Sequence, residues 1–313
     1  MHEQTRGNLV ISGANGFVGA AAAEAGDSAV TAGLLGGVRR MVRDPSSAGV
    51  DGVVVADLTD RRSLVAAFSG ADSLVHAAGY RGSDPVLQQR MNVDGTRAVV
   101  EAAEEAGVRR IVLVSTTAVY GSGPHRGEPE GRLPVHPESL LTESRLAAEE
   151  IVLAAGGIVV RPDLTYGPGD RWVVPALVRV NRMLGGLIDG GSALTSAIEV
   201  RELGRLLVDV ATAHDEPQQR VFHAAAHPVP LSALLDAVSG PLGLRLPTGA
   251  PARAEATPIL TDAGLSPHQL DLIASDHWYD GSALRALAGR SAPAAPAIDA
   301  RAADWYASVL AAR

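Results

Sequence analysis

Gly13, Gly16 and Gly19 stand at G-x-x-G-x-x-G spacing, directly after the apolar run Asn8-Leu9-Val10-Ile11-Ser12 and before an Ala-rich stretch that reads as a helix. In a strand-turn-helix unit such glycines let the backbone turn tightly, approach a pyrophosphate and aim amide N–H groups at it from the helix's positive end. An ordinary tight turn is the plainer reading of the glycines alone; their place between strand and helix favours a dinucleotide. Asn15, Phe17 and Val18 share the turn. The next apolar run, Val38-Arg39-Arg40-Met41-Val42, leads into Arg43 and then Asp44-Pro45. A carboxylate at such a strand end suits ribose hydroxyls, whereas an arginine pairs with a 2′-phosphate. The expected cofactor is therefore NADP(H), held by Arg43 first and by Arg39 or Arg40 second. NAD(H), through Asp44, is the alternative, as is a merely solvated row of arginines.

Other chemistries are excluded by what the chain lacks. It has no cysteine, which removes disulfides, thiolate nucleophiles and cysteine-ligated metals. All 27 Lys+Arg residues are arginines, so Schiff-base and P-loop lysine chemistry is excluded as well. The formal charge of −8 repels a polyanion, and nucleic acid is not an expected partner. His223 and His227 have H-x-x-x-H spacing but no nearby third ligand, and no metal is expected. Met1–Arg6 carry an acid and no apolar stretch, and no later apolar run nears the ~20 residues that span a bilayer. The expectation is a cytoplasmic protein with no membrane partner.

These residues need a scaffold that brings turns to one edge. With 313 residues, 46% of them hydrophobic, the chain is long enough for one large core or two modest ones. Apolar runs recur at Val53–Ala56, Ser73–Ala77, Ile111–Ser115 and Gly157–Val160, separated by helical patterns at Arg62–Phe68, Gly95–Ala106 and Glu143–Ala154. The alternation predicts an α/β fold: a doubly wound six-stranded parallel sheet, the Rossmann type, over residues 1–167. Residues 168–313, punctuated by Gly and Pro, are expected to form mainly a smaller C-terminal substrate domain over the edge where such sheets bind ligands. Some of their segments return to the first domain. Ser291–Pro296 reads as a loop before a last amphipathic helix, Arg301–Leu310.

Six ordered motifs carry a further resemblance. Besides the glycine turn these are Asp57-Leu58-Thr59-Asp60, His76-Ala77-Ala78-Gly79, Asn92-Val93-Asp94-Gly95-Thr96, Val114-Ser115-Thr116-Thr117-Ala118-Val119-Tyr120-Gly121, and Arg161-Pro162-Asp163-Leu164-Thr165-Tyr166-Gly167-Pro168-Gly169-Asp170. Over most of its length the chain resembles the extended short-chain dehydrogenases/reductases, the NAD-dependent epimerase/dehydratase family. The tail from Trp278-Tyr279-Asp280-Gly281-Ser282 to Trp305-Tyr306 fits the same pattern. The resemblance implies that Asp57 and Leu58 meet adenine and that Ala77, Ala78 and Gly79 pass the cofactor. Pro162 and Leu164 then lie beside the nicotinamide. Thr116, with Ser115, takes the place of the family's catalytic Ser or Thr.

The run Ser144-Arg145-Leu146-Ala147-Ala148-Glu149 resembles the family's S-K-L-A-A-E, which puts Arg145 at the lysine position and Leu141 at that of the catalytic tyrosine. Leucine has no proton to give, and arginine, with a pKa above ~12, keeps its own near neutrality. Arg145 retains the means to bind a ribose; the plainer alternatives are an ion pair with Glu149 at i+4, and a core or pocket-wall role for Leu141. Replacement acids to weigh are Tyr80, Tyr120, Tyr166, His125 and His136. The expected function is an atypical NAD(P)H-dependent ketoreductase acting on a small aromatic ketone, a polycyclic polyketide in antibiotic biosynthesis. A phenol hydrogen-bonded to the substrate's own carbonyl would assist the proton transfer. Two alternatives stand beside it: a non-catalytic NADP(H)-binding sensor, and a sugar-nucleotide epimerase or dehydratase using Arg171, Arg179, Arg182 or Arg201 on a diphosphate.

Overall fold

The computed structural model describes residues 7–311 except 45, 47, 48 and 294. Met1–Arg6, Pro45 and Ala294, on which parts of the sequence reading fall, lie outside the described residues. Along the chain run β1 (Asn8–Ser12), α1 (Phe17–Thr31), β2 (Gly37–Val42), β3 (Val53–Val55), α2 (Arg61–Phe68), β4 (Ser73–His76) and α3 (Pro85–Gln88). A π-helical segment, Gln89–Asp94, leads into α4 (Gly95–Glu105), followed by β5 (Arg110–Val114), β6 (His125–Arg126), α5 (Leu140–Ala154) and β7 (Ile158–Pro162). The second half holds β8 (Thr165–Tyr166), α6 (Val173–Leu184), β9 (Leu194–Thr195), β10 (Ile198–Glu199), α7 (Val200–Thr212), β11 (Val221–Ala224) and β12 (Val229–Pro230). It ends with α8 (Leu231–Ser239), α9 (Arg253–Asp262), α10 (Pro267–Ala274), β13 (His277–Trp278), α11 (Ser282–Ala288) and α12 (Ala300–Ala311).

The central sheet is parallel throughout, in the order β11-β7-β5-β4-β1-β2-β3. Its inner strands are covered on both faces, which is why they read as unbroken apolar runs. One face packs Leu9, Ile11 and Val75 against α1, α7 and α11; the other packs Val10, Leu74 and Leu113 against α2, α4 and α5. The strand order reverses between β4 and β1 on one side and β2 on the other, so the crevice opens at the C-terminal ends of β1 and β4. There Ser12 faces both Met41 and His76 in register.

The sheet has seven strands rather than the expected six. The seventh, β11, comes from the second half and pairs with β7, bringing Phe222 and Ala224 into the core. Its helix α7 also packs on α1, where a Cβ on Gly204 would lie 2.5 Å from the Ala21 carbonyl oxygen, so only glycine allows the two backbones to approach. Two small sheets lie beyond the main one, β10-β8 and β12-β9-β13-β6. The second joins His125 and Arg126 of the loop after β5 to His277 and Trp278.

Candidate cofactor and substrate site

The glycine turn is built around contacts that no side chain tolerates. Gly13 takes φ +72°, and a Cβ on it would lie 2.7 Å from the Ala78 backbone; one on Gly19 would lie 2.1 Å from the Gly13 carbonyl oxygen. The Gly16 amide closes the turn by donating to that same oxygen at 2.8 Å. Helix α1 then starts with no side-chain cap and no acidic residue in its first turn. Its positive end, with Asn15, Gly16, Phe17 and Val18, is left for an anion. Phe17 in turn packs against Gly169 of the loop after β8. This cradle fits the diphosphate of a dinucleotide.

At the end of β2 the three arginines separate. Arg40 is bound to Asp27 of α1, which removes it from the expected second place. Arg39 is half-buried, and burial lowers its pKa. Arg43 is exposed and acts on the Asp57 carboxylate, whose pKa is lowered first by hydrogen bonds from the Thr59 amide and hydroxyl, both 2.8 Å, and further by Arg43 and Arg90. Asp44 accepts the Ser46 amide at 2.9 Å. Leu58 is buried beneath Gly95.

The floor of the crevice carries a buried polar chain. His76 is fully buried between the Ser12 hydroxyl, 2.6 Å from Nδ1, and the Thr96 hydroxyl, 3.2 Å from Nε2. Burial, with the charge of Arg145 beside it, pulls its pKa down to about 3, so the ring is neutral. Asn92, in the π-helical segment, accepts the Tyr80 amide at 2.7 Å and donates to the Tyr80 carbonyl and to the Ser144 hydroxyl. It thus pins the loop after β4 to α5.

Leu141 and Arg145 lie one turn apart at the start of α5, which Ser139 and Thr142 cap reciprocally. The guanidinium of Arg145 rests against bare Gly79: a Cβ there would lie 2.9 Å from both Nη1 and Nη2. Arg145 has no hydrogen-bond or ion-pair partner among the described residues. The alternative pairing of Arg145 with Glu149 does not form. Glu149 is held instead by Arg161 of β7, Nε to Oε1 at 3.0 Å and Nη2 to Oε2 at 2.5 Å, and by the Ser115 hydroxyl. Ser115 is therefore buried on the α5 side of β5 and positions that helix, while Thr116 is half-buried at the strand's end. Thr116 Oγ1 accepts the Ala118 amide at 3.1 Å and keeps its own hydrogen for another acceptor. Pro162 ends β7 in the core; Leu164, just beyond it, is half-buried, and its carbonyl accepts the Ile198 amide.

The replacement acids fare poorly. Tyr120 is buried and its hydroxyl is held by Arg161 at 2.7 Å and His223 at 2.6 Å. Tyr166 is buried, its pKa pushed up to about 12 by burial. Tyr80 folds back so that its hydroxyl covers Gly82. His125 is not on an exposed loop but buried in β6, edge-on to His277, and burial lowers its pKa; His136 is exposed. His223 is buried in β11 and His227 exposed, and no group of metal-binding side chains occurs among the described residues. Arg201 is paired with Glu199 and Asp299, and Arg171 stacks on Trp305. Among the described residues, no helix is long and apolar enough to cross a membrane.

Two residues that hold this site were visible in the sequence without their roles: Asn92 only as part of a motif, and Glu149 only as an alternative partner for Arg145, whereas the structure gives it to Arg161.

Fold and site together define a dinucleotide-binding α/β protein of the extended reductase type. Residues 9–225 match the NAD dependent epimerase/dehydratase family, and the chain belongs to it. Among curated relatives, a 4-hydroxy-2-methyl-3-oxo-4-farnesyl-3,4-dihydroquinoline-1-oxide ketoreductase of Stigmatella aurantiaca is 35% identical over 160 residues, 47% of each chain. A 3 beta-hydroxysteroid dehydrogenase/Delta 5-->4-isomerase of Mycobacterium tuberculosis is 31% identical over 187 residues, 53% of this chain and 49% of that one. The chain thus spans about half the length of these relatives, and 25% of an Arabidopsis thaliana 3beta-hydroxysteroid-dehydrogenase/decarboxylase. Among solved structures, MoeE5 in complex with UDP-glucose and NAD aligns over 97% of this chain and all of its own, with a TM-score of 0.70 and 21% identity. That likeness concerns the fold.

Proposed function

We propose that the protein is an NADPH-dependent ketoreductase that reduces a ketone on a polycyclic aromatic polyketide, with the substrate's own phenol assisting the proton transfer. The observation that carries this reading is that the hydroxyls of buried Tyr120 and Tyr166 are tied up away from the start of α5, where the sequence resemblance puts Leu141 and Arg145 at the positions of an acid-base pair. The ketoreductase and hydroxysteroid dehydrogenase names among the relatives support the reaction class, and NAD in the related structures supports a nicotinamide cofactor. The finer substrate class, angucyclinone-like ketones such as occur in simocyclinone biosynthesis, rests on the sequence resemblance.

The residues present fit the cofactor. The glycine turn and the uncapped start of α1 would hold the diphosphate, Arg43 a 2′-phosphate, Asp57 and Leu58 the adenine end. Ala77, Ala78, Gly79, Pro162 and Leu164 would line the nicotinamide end, with Arg145 on its ribose. When bound, the nicotinamide supplies hydride. Thr116 orients the carbonyl by donating its free hydroxyl hydrogen, while Ser115 and Glu149 hold the strand and helix that carry Thr116 and Arg145. Orientation of this kind is the larger part of what hydride transfer needs. A sugar hydroxyl, by contrast, must lose its proton to a base, which weighs against epimerase chemistry here.

The test is NADPH consumption with two matched polycyclic ketones, one with a free hydroxyl beside the carbonyl and one with that hydroxyl methylated, NADH serving as the parallel cofactor. Turnover lost only on methylation, with binding retained, supports the reading. Equal turnover refutes the role of the phenol, and tight NADPH binding with no reduction of either ketone turns the protein into a sensor.

A further inference from the structure

Leu187, between α6 and β9, and Leu235 of α8 belong to the apolar core of the second half, yet both also line a cavity of about 490 Å³. Sites that take small molecules span roughly 300–1,000 Å³. The cavity lies at the far end of α6 from the crevice: its wall residue on that helix is Asn181, about 12 Å along the axis from Val173 at 1.5 Å per residue. Neither the glycine turn nor Thr116, Leu141 or Arg145 lines it. Helix α8 turns Leu231, Leu234 and Val238 into the core and leaves Ser232, Asp236 and Ser239, at i, i+4 and i+7, on the cavity side. Opposite, residues 244–251 are joined to 185–189 through the backbone. The Gly249 amide donates to the Gly185 carbonyl at 2.9 Å and the Leu187 amide to the Gly249 carbonyl at 3.2 Å. A Cβ on Gly186 would lie 1.8 Å from that Gly249 oxygen, so only glycine lets the two segments meet. This seam sets Leu246 and Pro247 in place as one wall.

Asn181 is the polar group that this arrangement leaves unmatched. It is 2% exposed, and its Nδ2 donates to the Pro247 carbonyl at 3.0 Å. A carbonyl only accepts, so the nitrogen must face Pro247, and Oδ1, on the other side of the amide, is buried with no partner among the described residues. Buried acceptors nearly always have a donor. At the rim, Asp236 and Arg245 are exposed, form no ion pair among the described residues and offset each other's charge. We propose that the cavity binds an uncharged, mostly apolar small molecule carrying one O–H or N–H donor. The donor goes to Asn181 Oδ1 and the apolar body packs against Leu187, Leu235 and Leu246, where burial drives binding. A net charge on the ligand would gain little from a rim of one acid and one base. This is a second site on the molecule, independent of the cofactor and of the reaction in the crevice, and its occupant bridges α6, α8 and the segment 244–249.

The experiment is equilibrium dialysis of 1-naphthol against the full-length protein saturated with NADP+, beside 1-methoxynaphthalene, which has the same rings and no donor. 1-Naphthol should bind saturably, and the methoxy compound about threefold or more weakly, the value of one hydrogen bond. Asn181→Leu should bring the two compounds to within about twofold of each other, since the acceptor that tells them apart is gone. Ser239→Trp puts a ring into the cavity from the half-buried end of α8 and should weaken 1-naphthol about tenfold or more, with NADP+ affinity kept within about twofold. That variant carries the test if Asn181→Leu does not fold. No saturable binding of 1-naphthol to the wild type, which would leave the cavity to water, overturns the inference. So does equal binding of the two compounds to the wild type, or unchanged binding of 1-naphthol to Ser239→Trp, which would place the probe elsewhere.

Discussion

Glu149 provides the sharpest test of how the site is held. Its carboxylate is buried, 1% exposed, and receives Arg161 through both Nε and Nη2 as well as the Ser115 hydroxyl, so α5, β5 and β7 meet at one group. Arg161, at 8% exposure, has its pKa raised: burial alone would lower it, but its hydrogen bonds and charge pairing with Glu149 outweigh that. Glu149→Ala leaves that cation buried with only the Tyr120 hydroxyl as partner, and uncompensated burial of this kind costs about 3–5 kcal/mol. At roughly 2–4 °C per kcal/mol for chains of this size, Tm should fall by on the order of 10 °C. Calorimetry or urea unfolding would measure it, with the exposed Glu150→Ala as a control expected to stay within ~0.5 kcal/mol. The double variant Glu149→Leu/Arg161→Leu should recover most of the loss, because the cost is that of a stranded charge rather than of missing bulk. If Glu149→Ala melts within about 2 °C of the wild type, the pair is not the joint described here, since even ~1 kcal/mol would be visible.

Three further outcomes are expected. Thr116→Val, which removes the free hydroxyl at the end of β5 while keeping its shape, should lower kcat by about 10- to 100-fold with little change in cofactor affinity, and unaltered turnover would remove Thr116 from the site. Arg43→Ala should raise KM for NADPH by roughly 10- to 100-fold, the value of one charge-assisted contact, and leave KM for NADH nearly as it was; equal loss for both cofactors would place Arg43 elsewhere. His223, held at a pKa of about 4 by burial, takes up its proton only on unfolding, so it removes stability as pH falls from about 6.5 towards 4, by up to ~1.4 kcal/mol per pH unit. His223→Gln should flatten that part of the pH–stability curve relative to wild type. Buried Asp163 and half-buried Glu130, whose raised pKa values act in the opposite direction, are the same in both proteins and cancel in the comparison.

Where residue type alone dictates backbone shape, the fold was legible. The glycine turn is one case: Gly13 at positive φ and Gly19 against the Gly13 carbonyl admit no other residue, so spacing and geometry are the same statement. The buried strands are another, since parallel strands covered on both faces must be apolar end to end. Strand β11 escaped because it is four residues long and contains His223, whose side chain is buried by pairing with Tyr120 rather than by being apolar. The side-chain partnerships escaped for a related reason. Arg145 and Glu149 are four apart on one helix, which favours a pair by local geometry, yet Arg161 reaches Glu149 from a neighbouring strand and binds it with two nitrogens. Likewise Arg40, adjacent in sequence to Arg39, is turned back onto Asp27 by the packing of β2 on α1.

That competition for partners bears directly on the chemistry. A lysine at position 145 with a tyrosine at 141 would make a group that moves protons; an arginine with a leucine makes one that holds charge and moves nothing. Several other buried or half-buried arginines have found a carboxylate: Arg161 with Glu149, Arg285 with Glu202, Arg40 with Asp27. Arg145 has no such partner among the described residues and rests against Gly79, whose missing side chain gives it room, with a neutral His76 nearby. On the proposed reading, a cleft with Leu141 and Arg145 at these two positions can stabilise an anion but has no proton to donate through them. On that reading the acid comes with the substrate, and substrates that carry no acid should bind in this crevice without being turned over.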